Sequence, residues 1–479
     1  MQILHATAEI HPYSKTGGLA DMVGALTKSL AEANHTVGVV TPLYPSIRTN
    51  QSDLQLLDYE MVLPLGPEQL SARIWTLEPS QNLTIYFVEN EELYDRKTFY
   101  FEADNARRFI FLSKAVAHLA RYHPARFEVI HVHDWQVALV PLLVKHQSQF
   151  DGWSPRPATC LTIHNLAYQG LFAAADFSYL NLPWHYFSPA GVEFYQQLNC
   201  LKGGIVYADL ITTVSPRYAR EITTEAFGCD LEDLLKQRHD SLVGILNGVD
   251  YSEWNTVNNP YIPEPYTAEA MEGKAKAKAA LQAEFHLPVV PDIPLFGTVT
   301  RLADQKGPDI QLAALEEMLA SKMQFVLLGS GEPLYENGFR RLAKRYPNKV
   351  GVRLGYDHGL AHRIEAGCDF FIMPSRYEPC GLNQMYSLRY GTIPIVRVTG
   401  GLDDSTVDAK ENLQAANGIK FSDYSSRALS KAIRKALALY DAKELMDQYR
   451  RNGMEMDFSW EETRRSYEAV YEEAKRRAN

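Results

Sequence analysis

The chain has 479 residues, 46% hydrophobic and 22% charged, a length that exceeds one ordinary core and predicts two domains of roughly 200–250 residues. Its formal net charge of −10 speaks against a general affinity for nucleic acid or an anionic membrane surface, both of which favour a basic face. Any anionic ligand must then be held by local cations. Five cysteines, Cys160, Cys200, Cys229, Cys368 and Cys380, form an odd set without metal-site spacing and read as reduced thiols of a cytoplasmic protein.

Met1 and Gln2 lead straight into an apolar run, without the charged start and small-residue cleavage site of a secretory signal. No uninterrupted run of about 20 apolar residues could span a bilayer. Residues 2–8 predict the first strand. Beyond a glycine turn, Leu19, Met22, Val23, Leu26 and Leu30 recur at helical spacing, which starts the first helix close to Gly18. Asp21 and Lys28 lie on its polar face. Strand-like runs at 37–41, 129–133, 159–164, 210–214 and 243–246 follow, separated by amphipathic stretches, the pattern of parallel strands joined by crossover helices. Residues 251–268 turn polar, and Asn258, Asn259, Pro260, Pro263 and Pro265 break regular structure there. A second strand series occupies 295–300, 325–328, 350–354, 370–373, 393–396 and 419–421. The stretch 460–477 predicts a charged amphipathic helix with Tyr467, Val470, Tyr471 and Ala474 along one side.

The expected fold class is therefore α/β, with two Rossmann-like open parallel-sheet domains facing across a cleft. The expected boundaries are 1–255, 256–456 and a closing helix over 457–479. Ligands of such sheets sit at the carboxyl ends of strands, and the chain's motifs fall there. Lys15-Thr16-Gly17-Gly18-Leu19-Ala20-Asp21 joins the first strand to its helix. Its glycines allow close backbone approach, the helix start offers N–H groups to an anion, and Lys15 adds a mobile charge. It has neither a Walker loop's Gly-Lys-Ser/Thr nor the spacing of a dinucleotide fingerprint. In the second half, Arg301 and Lys306 of the loop 300–307 offer a fork and a point charge to one diphosphate. The segment 374–384 places Glu378 beyond a buried strand, where a carboxylate can hold sugar hydroxyls or stabilise positive charge on a sugar ring. Leu382 and Asn383 open the next helix with backbone N–H groups. His131 and His133 share one face of a strand, but no further ligands accompany them, so they are expected to be core and acceptor-side residues and no metal is expected.

Together these motifs make the chain similar to the bacterial glycogen synthase and plant starch synthase family, retaining glucosyltransferases of the GT-B architecture. The resemblance spans nearly the whole chain. It rests on Lys15-Thr16-Gly17-Gly18-Leu19, His133-Asp134-Trp135, His164-Asn165-Leu166-Ala167-Tyr168-Gln169-Gly170, Asn247-Gly248-Val249-Asp250, the 301–307 loop, Glu378-Pro379-Cys380-Gly381-Leu382 and Thr399-Gly400-Gly401-Leu402. It implies transfer of glucose, with retention, from ADP-glucose to the non-reducing end of an α-1,4-glucan, without a cofactor. Glycogen, starch or a maltooligosaccharide is the implied acceptor. By the resemblance, Arg301 and Lys306 hold the diphosphate, and Gly18, Leu382 and Asn383 assist through backbone N–H groups. Tyr356, after Gly355, stacks on the base. Lys15, His164, Asn247 and Glu378 surround the transferred glucose, and Asp21, Tyr94, Asp134 and Trp135 line the acceptor side. The family resemblance also has the closing helix pack back across a hinge near 251–268.

Two positions depart from the family pattern: Tyr386 stands where many related enzymes carry a second glutamate, and Gln136 follows Trp135 where bacterial glycogen synthases commonly have histidine. With no clear carboxylate nucleophile for a double displacement, the expected chemistry is front-face attack through an oxocarbenium-like state. A glucan-binding module without transfer and a pyridoxal-dependent glucan phosphorylase are the competing expectations. Donor-dependent elongation and near-ultraviolet absorbance, respectively, distinguish them.

Overall fold

The computed structural model describes residues 1–96, 98–100 and 102–478. The chain forms two compact units. The first takes Met1–Val214, Ala219–Gly248 and the segment from Trp460 onward, and the second takes Ser215–Tyr218 and Val249–Ser459.

The first unit is built on a nine-stranded sheet: β1 (Gln2–Ala6), β2 (Thr36–Pro42), β3 (Gln55–Leu65), β4 (Glu68–Ser80), β5 (Leu83–Glu89), β6 (Val129–His133), β7 (Ala158–Ile163), β8 (Leu210–Thr213) and β9 (Leu242–Gly244). The spatial order is β9-β8-β7-β6-β1-β2-β5-β4-β3. From β9 to β5 every pairing is parallel. Ile3, Leu4, Val39, Val40, Val129 and Ile130 are fully buried, because a parallel strand is covered on both faces and so reads as a continuous apolar run. The edge is different. β4 runs antiparallel to both β3 and β5, and β3 alternates, burying Met61, Leu63 and Leu65 while Val62 and Pro64 face out. This half-buried ribbon lacks the continuous apolar signature and is absent from the expected series.

Helix α1 (Gly18–Glu32) lays Leu19, Met22, Val23, Leu26 and Leu30 on the sheet. The helix Trp460–Ala478 shares that core through Tyr467, Val470, Tyr471 and Ala474, so the last segment completes a sheet begun by the first residues. No helix among the described residues is long and apolar enough to cross a membrane.

The second unit carries six parallel strands, β10 (Leu295–Leu302), β11 (Gln324–Gly331), β12 (Val350–Leu354), β13 (Phe370–Met373), β14 (Ile393–Arg397) and β15 (Ile419–Phe421), ordered β12-β11-β10-β13-β14-β15. Helices Pro308–Met318 and Ser426–Asp441 pack on one apolar cluster of this unit, and Glu272–Glu284 and His358–Gly367 on another. The polar stretch 251–268 lies inside this unit. There Asn259 Nδ2 is 2.6 Å from the Tyr390 hydroxyl, and the Tyr266 hydroxyl donates to the Tyr390 carbonyl at 2.9 Å.

In both units the strand order reverses once. The chain moves outward from β1 through β2 and later restarts at β6 on β1's other side. It likewise moves from β10 to β12 and restarts at β13 on β10's other side. Such switch points leave a crevice outside the carboxyl ends of the two central strands.

Candidate functional site

At the switch point of the first unit, the loop 7–17 leaves β1 and is tied down by short-range bonds. Thr7 Oγ1 donates to the Glu9 carbonyl at 2.8 Å, and the Ile10 N–H donates to Ser14 Oγ at 3.1 Å. Beneath the glycines lies Glu9, a buried carboxylate that accepts from both the N–H and the hydroxyl of Thr16. Burial pushes its pKa up, while the Thr16 bonds pull it down. Gly17 and Gly18 face open space, since an added Cβ at either would meet nothing within 4 Å. Lys15 Nζ lies 2.7 Å from Asp21 Oδ1 with the lysine side chain 41% exposed. Asp21 therefore positions this cation.

β6 ends at His133 and Asp134, and β7 ends just before His164. Asp134 adopts φ 59° and its Oδ1 accepts the His164 N–H at 2.7 Å. Burial raises the Asp134 pKa to about 7, against the lowering effect of the backbone bonds from His164 and Asn165. A chain of imidazoles runs inward from His164. His164 Nε2 lies 3.2 Å from His133 Nδ1, and His133 Nε2 lies 3.1 Å from His5 Nδ1. Burial holds His5 and His164 down at about 3 and His133 well below its usual range, so all three rings are neutral. A neutral imidazole has one N–H and one acceptor nitrogen. His5 Nε2 is buried without a partner, and an unpaired acceptor is tolerated better than an orphaned N–H. The protons therefore run outward along the chain, leaving His164 with its N–H at Nδ1, a hydrogen-bond donor at the carboxyl edge of the sheet.

The remaining residues of this unit divide. Asn247 follows β9 at the same edge and is buried, with Oδ1 unpartnered among the described residues. Trp135 packs edge-on against Phe109 at 5.0 Å and against Phe172, and an added Cβ on Gly170 would overlap its ring. Tyr94 is fully buried and donates its hydroxyl to the Arg108 carbonyl at 3.0 Å. It is therefore a core residue, not brought to the edge with the others. Gln136 is also buried.

In the second unit, Arg301 is the next-to-last residue of β10 and Lys306 sits in the turn Asp304–Lys306. Lys306 Nζ donates to both oxygens of Glu378, at 2.9 and 2.6 Å, and Ser375 Oγ adds a bond at 2.9 Å. Glu378 is 5% exposed, so its charge depends on these partners. The two loops are sewn together, the Arg376 N–H donating to the Gln305 carbonyl at 2.8 Å and Gln305 Nε2 to the Tyr377 carbonyl at 3.3 Å. Glycine is required at two points. Gly307 has φ 72°, Gly400 has φ 43°, and a Cβ on them would overlap the carbonyls of Pro374 and Glu378 respectively. Arg301 is exposed, and its guanidinium forms no ion pair among the described residues. Leu382 caps the helix Asn383–Arg389, whose first N–H groups lack intrahelical acceptors. The Asn383 side chain instead donates to the Val299 carbonyl at 2.7 Å, fixing this helix start to β10. Gly355 (φ 129°) carries the chain past β12 to Tyr356, which is 83% exposed and open to stack on a planar ligand.

Sequence reasoning missed several partners. Ser375 lies within the quoted segment without a role assigned to it, and Glu9 precedes the glycine turn; no spacing rule marks either. Two trios also bring possible metal-ligand atoms within 4.8 Å of one another, His5-His131-His133 and Glu253-His358-His362. In the first, both His131 nitrogens are already engaged, by Tyr471 at 2.9 Å and Thr162 at 2.6 Å.

Residues 2–237 match the family described as starch synthase catalytic domain, and residues 283–456 match glycosyl transferases group 1. The chain is 45% identical over 476 residues to the glycogen synthase of Anaeromyxobacter sp. (strain Fw109-5), covering 98% of this chain and 99% of that one. To the glycogen synthase of Koribacter versatilis (strain Ellin345) it is 42% identical over 480 residues, covering 99% and 98%. Among solved structures, the catalytic domain of starch synthase IV from Arabidopsis thaliana, bound to ADP and acarbose, superposes with a TM-score of 0.91 at 32% identity, covering 99% of each chain.

Proposed function

The chain belongs to the glycogen synthase and starch synthase family of GT-B glucosyltransferases, and from that premise we propose a division of labour among its residues. The second unit holds ADP-glucose, with Arg301 and Lys306 on the diphosphate, the helix start at Leu382 and Asn383 beside it, and Tyr356 on the base. Glu378 holds the glucose. The first unit adds Lys15, the N–H groups at Gly18, the Asn247 side chain and the Nδ1 donor of His164, while Asp134 and Trp135 support the acceptor glucan.

One observation carries the reading. A lysine ammonium is clasped by a buried carboxylate at the switch point of the second unit, beside an exposed arginine. As ADP departs, negative charge grows on its phosphates and positive charge on the sugar. Preoriented cations and one carboxylate offset both, without solvent reorganisation. No leaving-group acid is then needed: the bond from C1 to the phosphate oxygen breaks, the glucan hydroxyl bonds to C1 on the face that ADP leaves and passes its proton to the departing phosphate oxygen, and the configuration is retained.

The test is direct. Purified protein is incubated with a maltooligosaccharide and either ADP-glucose or UDP-glucose, and product length, linkage and released nucleotide are measured. The expected result is α-1,4 elongation with stoichiometric ADP release and a slower reaction with UDP-glucose. Glucan binding without nucleotide release, or elongation that requires glucose 1-phosphate, would overturn the assignment.

A further inference from the structure

Away from the residues just described, the second unit carries a cluster that the transfer reaction does not use. His358 and His362 are four residues apart on the helix His358–Gly367, a spacing that puts them one above the other on one face. His358 Nε2 lies 3.2 Å from His362 Nε2 and 3.0 Å from Glu253 Oε1. These contacts do not satisfy one another. With His362 protonated at Nδ1, its Nε2 and the Glu253 carboxylate are both acceptors, and a neutral His358 has one proton at most at Nε2 to share between them.

Three converging lone pairs resolve the conflict if a cation stands at their centre. With bonds of about 2.0–2.1 Å, a tetrahedral site separates its ligand atoms by roughly 3.3 Å. The two spacings to His358 Nε2, 3.2 and 3.0 Å, need to change by only a few tenths of an ångström, and all three ligand atoms already lie within 4.8 Å of one another.

The surroundings fit that role. His362 is fully buried, stacked on Trp254 with ring centroids 4.0 Å apart and planes 12° apart, and flanked by Tyr261 at 4.9 Å. Its other nitrogen, Nδ1, lies 2.8 Å from the Tyr390 hydroxyl and 3.1 Å from Asn259 Nδ2, outer-shell contacts that fix the orientation of the ring. Arg363 on the same helix is occupied by a two-pronged pair with Glu284, at 2.8 and 2.9 Å, which offsets its charge. His358 and Glu253 are partly exposed, at 35% and 43% of their side chains, so solvent can supply a fourth ligand.

We propose that Glu253, His358 and His362 bind a divalent transition-metal cation, zinc foremost, through two imidazole nitrogens and one carboxylate oxygen. The ligand set excludes magnesium and calcium as natural occupants, since both require mainly oxygen donors. The bound ion fastens Glu253 and Trp254 to the helix that begins two residues after Tyr356.

The experiment uses the full chain stripped of metal by chelation, titrated with zinc in a calorimeter and with cobalt(II) as a spectroscopic probe. Expected are one equivalent of zinc bound at micromolar concentration and a visible cobalt absorption of tetrahedral intensity that zinc displaces. His358→Ala and Glu253→Gln should each weaken binding by more than about tenfold and leave the circular dichroism spectrum unchanged, whereas Cys229→Ser should leave affinity unaltered. Magnesium should produce no heat. The proposal is overturned if the wild-type chain binds no zinc, or if both ligand variants bind it as well as wild type. Glucosyl transfer is not the readout, so failure of the proposed function would leave this result standing.

Discussion

Lys306 and Glu378 show how much a single contact can bear. The carboxylate is nearly buried and its oxygens are held by one ammonium and one hydroxyl, so losing the lysine leaves a buried charge with Ser375 alone. Lys306→Ala is expected to cost about 3 kcal/mol of stability and to lower kcat by about 10²–10³-fold. Adding Glu378→Gln should restore most of the stability, because the stranded charge is gone, but none of the activity. Urea unfolding and steady-state kinetics of the two variants check this, and additive stability losses would contradict the pairing. In the proposed role, His164 acts through its tautomer. Replacing His133 by phenylalanine removes the acceptor-side lock and should lower kcat while leaving donor KM within about threefold, whereas an unchanged kcat would remove His133 from the machinery.

At the scale of elements, the turn at Gly307 holds the carboxyl edge of the second sheet in place. Gly307 has φ 72° and no room for a side chain beside Pro374, so Gly307→Ala combines left-handed backbone strain with a clash. A loss of at least about 2 kcal/mol is expected, read as a lowered melting temperature. The helix Asn383–Arg389 has a different anchor. Tyr386 stacks on Trp254 with ring centroids 3.7 Å apart and planes 3° apart, an aromatic contact at the position where the family resemblance places a second glutamate in many related enzymes. Tyr386→Glu should lose about 1 kcal/mol of stacking without any gain in rate, and a faster Tyr386→Glu enzyme would show that a second carboxylate belongs there.

For the molecule as a whole, the histidine-rich centre of the first unit sets its response to pH. His5, His131 and His133 are fully buried and held neutral, their pKa values depressed by burial from the ordinary 6.5. In the unfolded chain they protonate below 6.5, so their stabilisation is present above that value and is lost as pH falls. Each contributes about 1.4 kcal/mol per pH unit. Asp134 opposes this, since its pKa is raised from 3.8 to about 7 and its stabilisation, complete below 3.8, is lost as pH rises through about 7. With His164, held down by burial in the same way, the net expectation is a loss of roughly 4 kcal/mol per pH unit below the histidine range. Urea midpoints of the first unit at pH ~7 and ~5.5 measure it, and equal midpoints would mean that the imidazoles protonate without unfolding. The centre is sealed by the closing helix, whose Tyr471 hydroxyl engages His131 Nδ1 at 2.9 Å.

Much was legible in one dimension. Continuous apolar runs bounded by turns located β1, β2, the four strands β6–β9 and all six strands of the second unit, because a strand buried on both faces has to be apolar at every position. Periodicity placed the start of α1 at Gly18 and the buried face of the closing helix. Glycines marked the turns after β1 and β10, since backbone that meets a ligand or another carbonyl has no room for Cβ. The β3–β4–β5 edge escaped because its alternating half-buried ribbon gives a weaker signal. What only the tertiary structure decided depends on partners distant in sequence. Lys306 meets Glu378 across 72 residues, and Glu253 reaches His358 across more than a hundred. Local sequence fixes which backbone a segment prefers. The company a polar side chain keeps is set by which strand ends the topology brings side by side.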